Sequence, residues 1–279
     1  MGRHGIVDLV RGIRSVAKRP GAMLLMPSLR MDDGGHEAST ETFVVAGYVA
    51  PVTAWDALEK DWEALAKGRI LRLAHICGVE GHGPFASWSK SDRNRLVTDM
   101  AHIVDQHLPQ GIARAVYIQD YKDLLVPAAP MFLKGTRARH LAAVGWCLRM
   151  CLEWLGTDWL DCPTGEKIDV IFEEGTRYLG EAITFCRNLK RTKEWGKKFG
   201  SIATDSKDHL ISLQAADFLA YHCFQYFDAQ LRQVPYLLQE SFDLSTKRCK
   251  LNLGILDRES ASEALSVFTM RDLWGDHPL

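Results

Sequence analysis

Two apolar runs in this chain each end in a pair of carboxylates followed by glycine: Arg30-Met31-Asp32-Asp33-Gly34-Gly35 and Ile171-Phe172-Glu173-Glu174-Gly175. These endings constrain the fold more than any other feature. Val170-Ile171-Phe172 reads as a strand covered on both faces, and a strand end fixes the backbone while the loop beyond it stays open. A third carboxylate, Asp217, lies inside the helical stretch Leu213–Tyr221. On a 3.6-residue period Leu210, Leu213, Gln214, Asp217, Ala220, Tyr221 and Phe224 share one side, which is otherwise mostly apolar and should face the core. An ionised carboxylate there costs several kcal/mol unless a cation or hydrogen-bond donors compensate it.

Acids from two strand ends and one helix face form the kind of oxygen-ligand set a divalent hard cation needs. Asp32, Glu173 and Asp217 are therefore the candidate metal ligands and catalytic residues, with Mg²⁺ or Mn²⁺ as the cofactor. Alternation along a strand admits only one of Glu173 and Glu174 to such a site. Glu173 is the choice, with Glu174 solvated or behind it. Asp120, after the strand-like Ile112–Ile118, is the first replacement. Blander readings stand beside these: Asp217 paired with a buried arginine, and acid pairs that only mark where strands meet water. If metal binding is the role of Asp217, Asp217→Asn should leave the metal-free protein as stable or slightly more so.

At 279 residues, 47% hydrophobic and 25% charged, the chain can bury a full core. A net charge of −1 advertises neither nucleic acid nor membrane through a global field. The longest apolar runs fall short of a membrane span. Seven cysteines without a C-x-x-C pair suit buried thiols in a reducing cytoplasm. No G-x-S-x-G elbow, P-loop or dinucleotide fingerprint is present. His75 and His222 read more readily as structural or surface groups than as catalysts. Arg187–Phe199 carries six basic residues against Glu194, interleaved with Trp195 and Phe199. Cations with aromatic faces suit single-stranded nucleic acid, so Lys190, Arg191, Lys197, Lys198 and Trp195 are candidate contacts. A solvated helix end and loop explains the stretch equally well.

The pattern predicts a strand over Ala22–Met31, its regular part shortened by Pro27 to Ser28–Asp32, and a second strand at Thr42–Val49 in a hairpin with it. A helix capped by Thr53 runs to about Lys67, a third strand covers Arg69–His75, and Ser89 opens a helix to His107. Ile112–Ile118 is a strand, Gly135 to about Leu155 a long apolar helix, and Lys167–Phe172 a strand. Helices follow at Thr176–Lys193 and about His209–Asp228. The last fifty residues show no strong signature. This order implies an α/β chain, a mixed sheet with helices on its faces. Residues 1–21 form a basic extension, 22–230 the domain, and 231–279 a C-terminal extension packed on it.

With these residues in hand, the chain resembles the bacterial family catalogued as domain of unknown function 3800, in the ribonuclease H-like superfamily. Members open with an apolar strand into Asp-Glu-Ser-Gly, similar to Met31-Asp32-Asp33-Gly34-Gly35. Arg72-Leu73-Ala74-His75 and Phe85-Ala86-Ser87-Trp88-Ser89 resemble the family's middle region, and Phe172-Glu173-Glu174 its late Phe-Asp-Glu. A Ser-Lys before an apolar-Gln-x-Ala-Asp helix is similar to Asp205-Ser206-Lys207 and Leu213-Gln214-Ala215-Ala216-Asp217. Asp33, Gly34 and Glu173 depart from the family's Glu, Ser and Asp. The resemblance implies a ribonuclease H-like mixed β-sheet flanked by helices, with helical insertions. It also implies two-metal hydrolysis of phosphodiester bonds in RNA or DNA. The alternative is a non-catalytic nucleic-acid- or protein-binding module with a degenerate site.

Overall fold

The computed structural model describes residues 27–35, 40–78, 83–125, 136–158, 166–176, 179–236, 238–260 and 262. The basic extension over 1–21 lies outside them, as do Ala22–Met26 of the expected first strand. β1 (Pro27–Gly34) and β2 (Thr42–Pro51) form the expected antiparallel hairpin, with Met31 opposite Gly47. Pro27 opens the strand, where its missing N–H interrupts the ladder least.

α1 (Val52–Ala66) follows β2 directly. Thr53 lies inside it rather than capping it, because the strand ends at Pro51 and the helix begins at once. Lys67 and Gly68, both at positive φ, stop it. The Arg69–His75 strand is corrected: only a short helix, α2 (Leu73–Cys77), forms there. α3 (Lys90–His107) starts as read, with the Ser89 hydroxyl accepting from the Asp92 backbone N–H at 3.1 Å. β3 (Gln110–Tyr117), α4 (Thr136–Thr157), β4 (Ile168–Glu173), α5 (Leu179–Thr192) and β5 (Phe199–Asp205) follow. α6 (Leu213–Arg232) carries Asp217. The C-terminal region contributes α7 (Gln239–Ser245) and β6 (Lys250–Leu256). β6 pairs in parallel with β3, so this region completes the sheet instead of merely packing on it.

The sheet order is β5-β4-β1-β2-β3-β6. β1, β2 and β3 run antiparallel in turn, while β4 is parallel to β1 and β5 to β4. Side-chain alternation divides the molecule into three layers. Leu29, Met31, Val45, Val170 and Phe172 face α4 and α5. Val44, Ala46, Tyr48 and Ala113 face α1, α3 and α6 through Trp55, Leu58, Met100, Phe218 and Leu219. The sheet is thus an α/β mixed sheet buried on both sides, which is why its strands read as apolar runs. Among the described residues no helix is long and apolar enough to cross a membrane. Cys147, Cys151, Cys186, Cys223 and Cys249 are buried free thiols, and burial pushes the Cys151 thiol up to about 12.

Candidate functional site

Met31 pairs with Phe172 across parallel β1 and β4, so the next residues, Asp32 and Glu173, leave the two strands at the same level. Leu29 and Met31 belong to the opposite layer, as do Val170 and Phe172. Alternation therefore turns Asp32 and Glu173 together toward α6. Asp217 reaches them from its second turn. Carboxylate oxygens of all three lie within 4.8 Å of one another, the convergence expected from the sequence. Asp32 is 2% exposed and Glu173 9%.

The residue at the centre is one the sequence offered only within the family-like Asp205-Ser206-Lys207, with no role in the site. Lys207, buried in the loop between β5 and α6, places its ammonium 2.8 Å from Asp32 Oδ2 and 2.6 Å from Asp217 Oδ1, and against Glu173 Oε2. Burial opposes the charge of this lysine, yet Asp217, Asp32 and Glu173 outweigh burial and raise its pKa. Burial drives the Asp32 carboxyl well above the usual carboxylate range; Lys207 opposes this, and Asp217 and Glu173 add to it. Three carboxylates face one ammonium, so ionised acids would carry more charge than Lys207 alone compensates. The signal was present in Ser206-Lys207, but a lysine outside any apolar pattern reads as solvated.

Gln214 explains the spacing around that lysine. Its Nε2 donates to the Lys207 carbonyl at 3.3 Å. Its Oε1 accepts from Trp62 Nε1 at 3.0 Å and from the Leu71 backbone N–H at 2.9 Å. One buried amide thereby ties the lysine loop, α1 and the chain before α2 together. The Leu73 backbone N–H donates to Asp217 Oδ2 at 3.0 Å, which fixes this carboxylate. Arg72 stands beside the cluster, 3.7 Å from Glu173 Oε1. Behind it Arg30, on the Asp32 face of β1, donates to Glu59 Oε1 at 2.6 Å, and Ser212 donates to the same oxygen.

The neighbouring acids separate as expected. Asp33 turns away to accept from the Thr176 hydroxyl, and its backbone N–H donates to Asp32 Oδ1 at 2.8 Å. Glu174 is exposed. Asp120 pairs with Arg258 at 3.3 Å and stands outside the acid cluster. His222 is wholly buried against Tyr236 and Phe242, and burial lowers its pKa to about 3, so it is a neutral core group. Gly34 lies where a side chain cannot: a Cβ there would meet the Ala220 carbonyl oxygen at 2.7 Å. The close approach of α6 to β1 thus accounts for glycine at this position.

The basic stretch looks different in three dimensions. Trp195 and Phe199 are both buried, packed edge to face at 6.0 Å, so Trp195 offers no open ring for a base. This corrects its assignment as a stacking residue; the aromatic side of the stretch belongs to the core. Lys190 donates to the Gly200 carbonyl, Lys197 pairs with Glu194 at 2.6 Å, and Arg191 is exposed while Lys198 is half-buried.

No family model matches the chain, and no curated protein matches it.

Proposed function

We propose that this protein is a divalent-metal-dependent nuclease that hydrolyses phosphodiester bonds in RNA or DNA. One observation carries the reading: Asp32, Glu173 and Asp217, drawn from two strands and a helix far apart in sequence, bring ligand oxygens within 4.8 Å. The antiparallel β1-β2-β3 meander, extended by parallel β4 and β5, supports a ribonuclease H-like interpretation of the mixed sheet. That interpretation rests on the resemblance to the domain-of-unknown-function family.

The donor set fits Mg²⁺ or Mn²⁺. All three ligands are carboxylates, the oxygen donors such a hard cation takes. Asp32 Oδ2 is buried and, although 2.8 Å from the ammonium, takes no well-directed hydrogen bond. A buried oxygen with an open lone pair is what a cation would complete. Held by Asp32, Glu173 and Asp217, the metal would supply an activated water and charge stabilisation at the phosphodiester. Lys207 gathers the three acids, Gln214 holds the backbone of Lys207, and the Leu73 N–H orients Asp217.

The contact of Lys207 with every acid also favours a second reading, in which the cluster is a buried ion network in a non-catalytic binding module. A cleavage assay separates them: labelled RNA and DNA, single- and double-stranded, incubated with Mg²⁺, Mn²⁺ or EDTA. Metal-dependent cutting supports the nuclease; intact substrates throughout support the module.

A further inference from the structure

The geometry points to Arg69 and Arg72, on the stretch 69–78 and braced by Trp88, as the surface that receives the phosphate backbone of a polynucleotide. The nuclease reading supplies the substrate class, but the surface is testable by binding alone.

Residues 69–78 contain Arg69, Arg72 and His75 and no acid. The segment is built into the site rather than draped near it. The Leu71 N–H is held by Gln214, the Leu73 N–H by Asp217, and buried Arg93 donates to the carbonyls of Ile76 and Gly78. Leu71 and Leu73 are buried at 1% and 0%, so the extended backbone at Arg72 turns the intervening guanidinium outward. The Arg72 side chain is 46% exposed, yet stands 3.7 Å from Glu173 Oε1. At that distance the pair makes no hydrogen bond, and among the described residues the guanidinium donates to nothing else. Five N–H donors in a planar fork thus stand open at the rim of the acid cluster, a geometry suited to a phosphate.

Arg69 is also preorganised. Its guanidinium lies over the Trp88 ring, 5.5 Å from the centroid, and Trp88 is braced edge to face by buried Phe85 at 5.4 Å. Two guanidinium groups on a fixed stretch of chain can hold successive phosphates. The acids need such groups, because a polyanion approaching them is otherwise repelled. The Arg187–Phe199 stretch lacks this arrangement, since Lys190 is tied to Gly200 and Lys197 to Glu194.

Binding of labelled RNA and DNA oligonucleotides, single-stranded and duplex, is measured by fluorescence anisotropy over a salt series with Ca²⁺ present. Arg72→Ala should weaken binding about tenfold and reduce the salt slope by about one. Arg69→Ala, remote from the acid contact, should reduce the slope similarly, and Arg72→Lys should recover part of the loss. Alanine at Lys190, Arg191, Lys197 and Lys198 together probes the rival surface, and a larger fall in slope there than in the two arginine variants would overturn the proposal. Wild-type affinity and slope in both Arg72→Ala and Arg69→Ala would overturn the proposal, as would failure of the wild type to bind any probe. Weakened binding in a protein that cuts nothing would refute the nuclease reading and leave this surface standing.

Discussion

Replacing Lys207 with methionine keeps the unbranched stem of the side chain, one atom shorter, and removes its charge. At an effective dielectric of ~20, ion pairs at 2.8 and 2.6 Å are each worth about 6 kcal/mol before desolvation. The three acids, with oxygens within 4.8 Å, repel one another by about 3–4 kcal/mol per pair on the same scale. Without the ammonium that repulsion is opposed only from the rim, by Arg72, and desolvation of the acids remains. Because part of it is relieved by protonation, the expected net cost of Lys207→Met at neutral pH is about 3–5 kcal/mol. The sign of the pH effect follows from the shifts. Raised Lys207 contributes stability that is present below the ordinary lysine value and is lost only as pH rises through its raised one. Raised Asp32 contributes stability that is full below the ordinary carboxylate value and is lost as pH rises through its raised one. Removing Lys207 raises Asp32 further, so the variant should regain ground on the wild type as pH falls toward ~5. Urea unfolding from about pH 5 to 8 measures this gap. A gap below about 1 kcal/mol at neutral pH, or one that does not narrow in acid, would refute the reasoning.

Asp217→Asn should abolish metal-dependent cleavage and cost the metal-free protein about 1–3 kcal/mol in urea unfolding. An amide offers one acceptor where Asp217 supplies two, to Leu73 N–H and Lys207. The sequence alone had suggested unchanged or higher stability; the lysine reverses that expectation, and an undiminished unfolding midpoint would contradict it. Gly34→Ser should destabilise by about 1–3 kcal/mol, because its Cβ would press on the Ala220 carbonyl. A thermal midpoint equal to wild type would show that α6 can yield there.

The hairpin and the acids were legible because strands buried on both faces leave continuous apolar runs, and Asp32, Glu173 and Asp217 interrupt apolar patterns. Arg69–His75 was misread because a short run with Ile70, Leu71 and Leu73 has no decisive period. Its backbone is instead fixed by Gln214 and Asp217, more than a hundred residues away in sequence. Lys207 escaped for a related reason: its burial depends on three acids that converge only in the fold. β6 carries Leu251, Leu253 and Ile255 in alternation, a strand signal that the unremarkable composition of the tail obscured. Trp195 misled in the opposite direction, since lysines around an aromatic residue resemble a stacking platform whether the ring is open or packed.

Asp32, Glu173 and Asp217 are proposed to form one metal-dependent catalytic centre. The most direct measurement is cleavage of labelled RNA and DNA by wild type and Asp32→Asn, side by side in Mn²⁺ and in EDTA. Cutting by the wild type in Mn²⁺ alone, lost in Asp32→Asn while the variant remains folded, is the predicted result. Equal cutting by both proteins, or cutting that persists in EDTA, would contradict it.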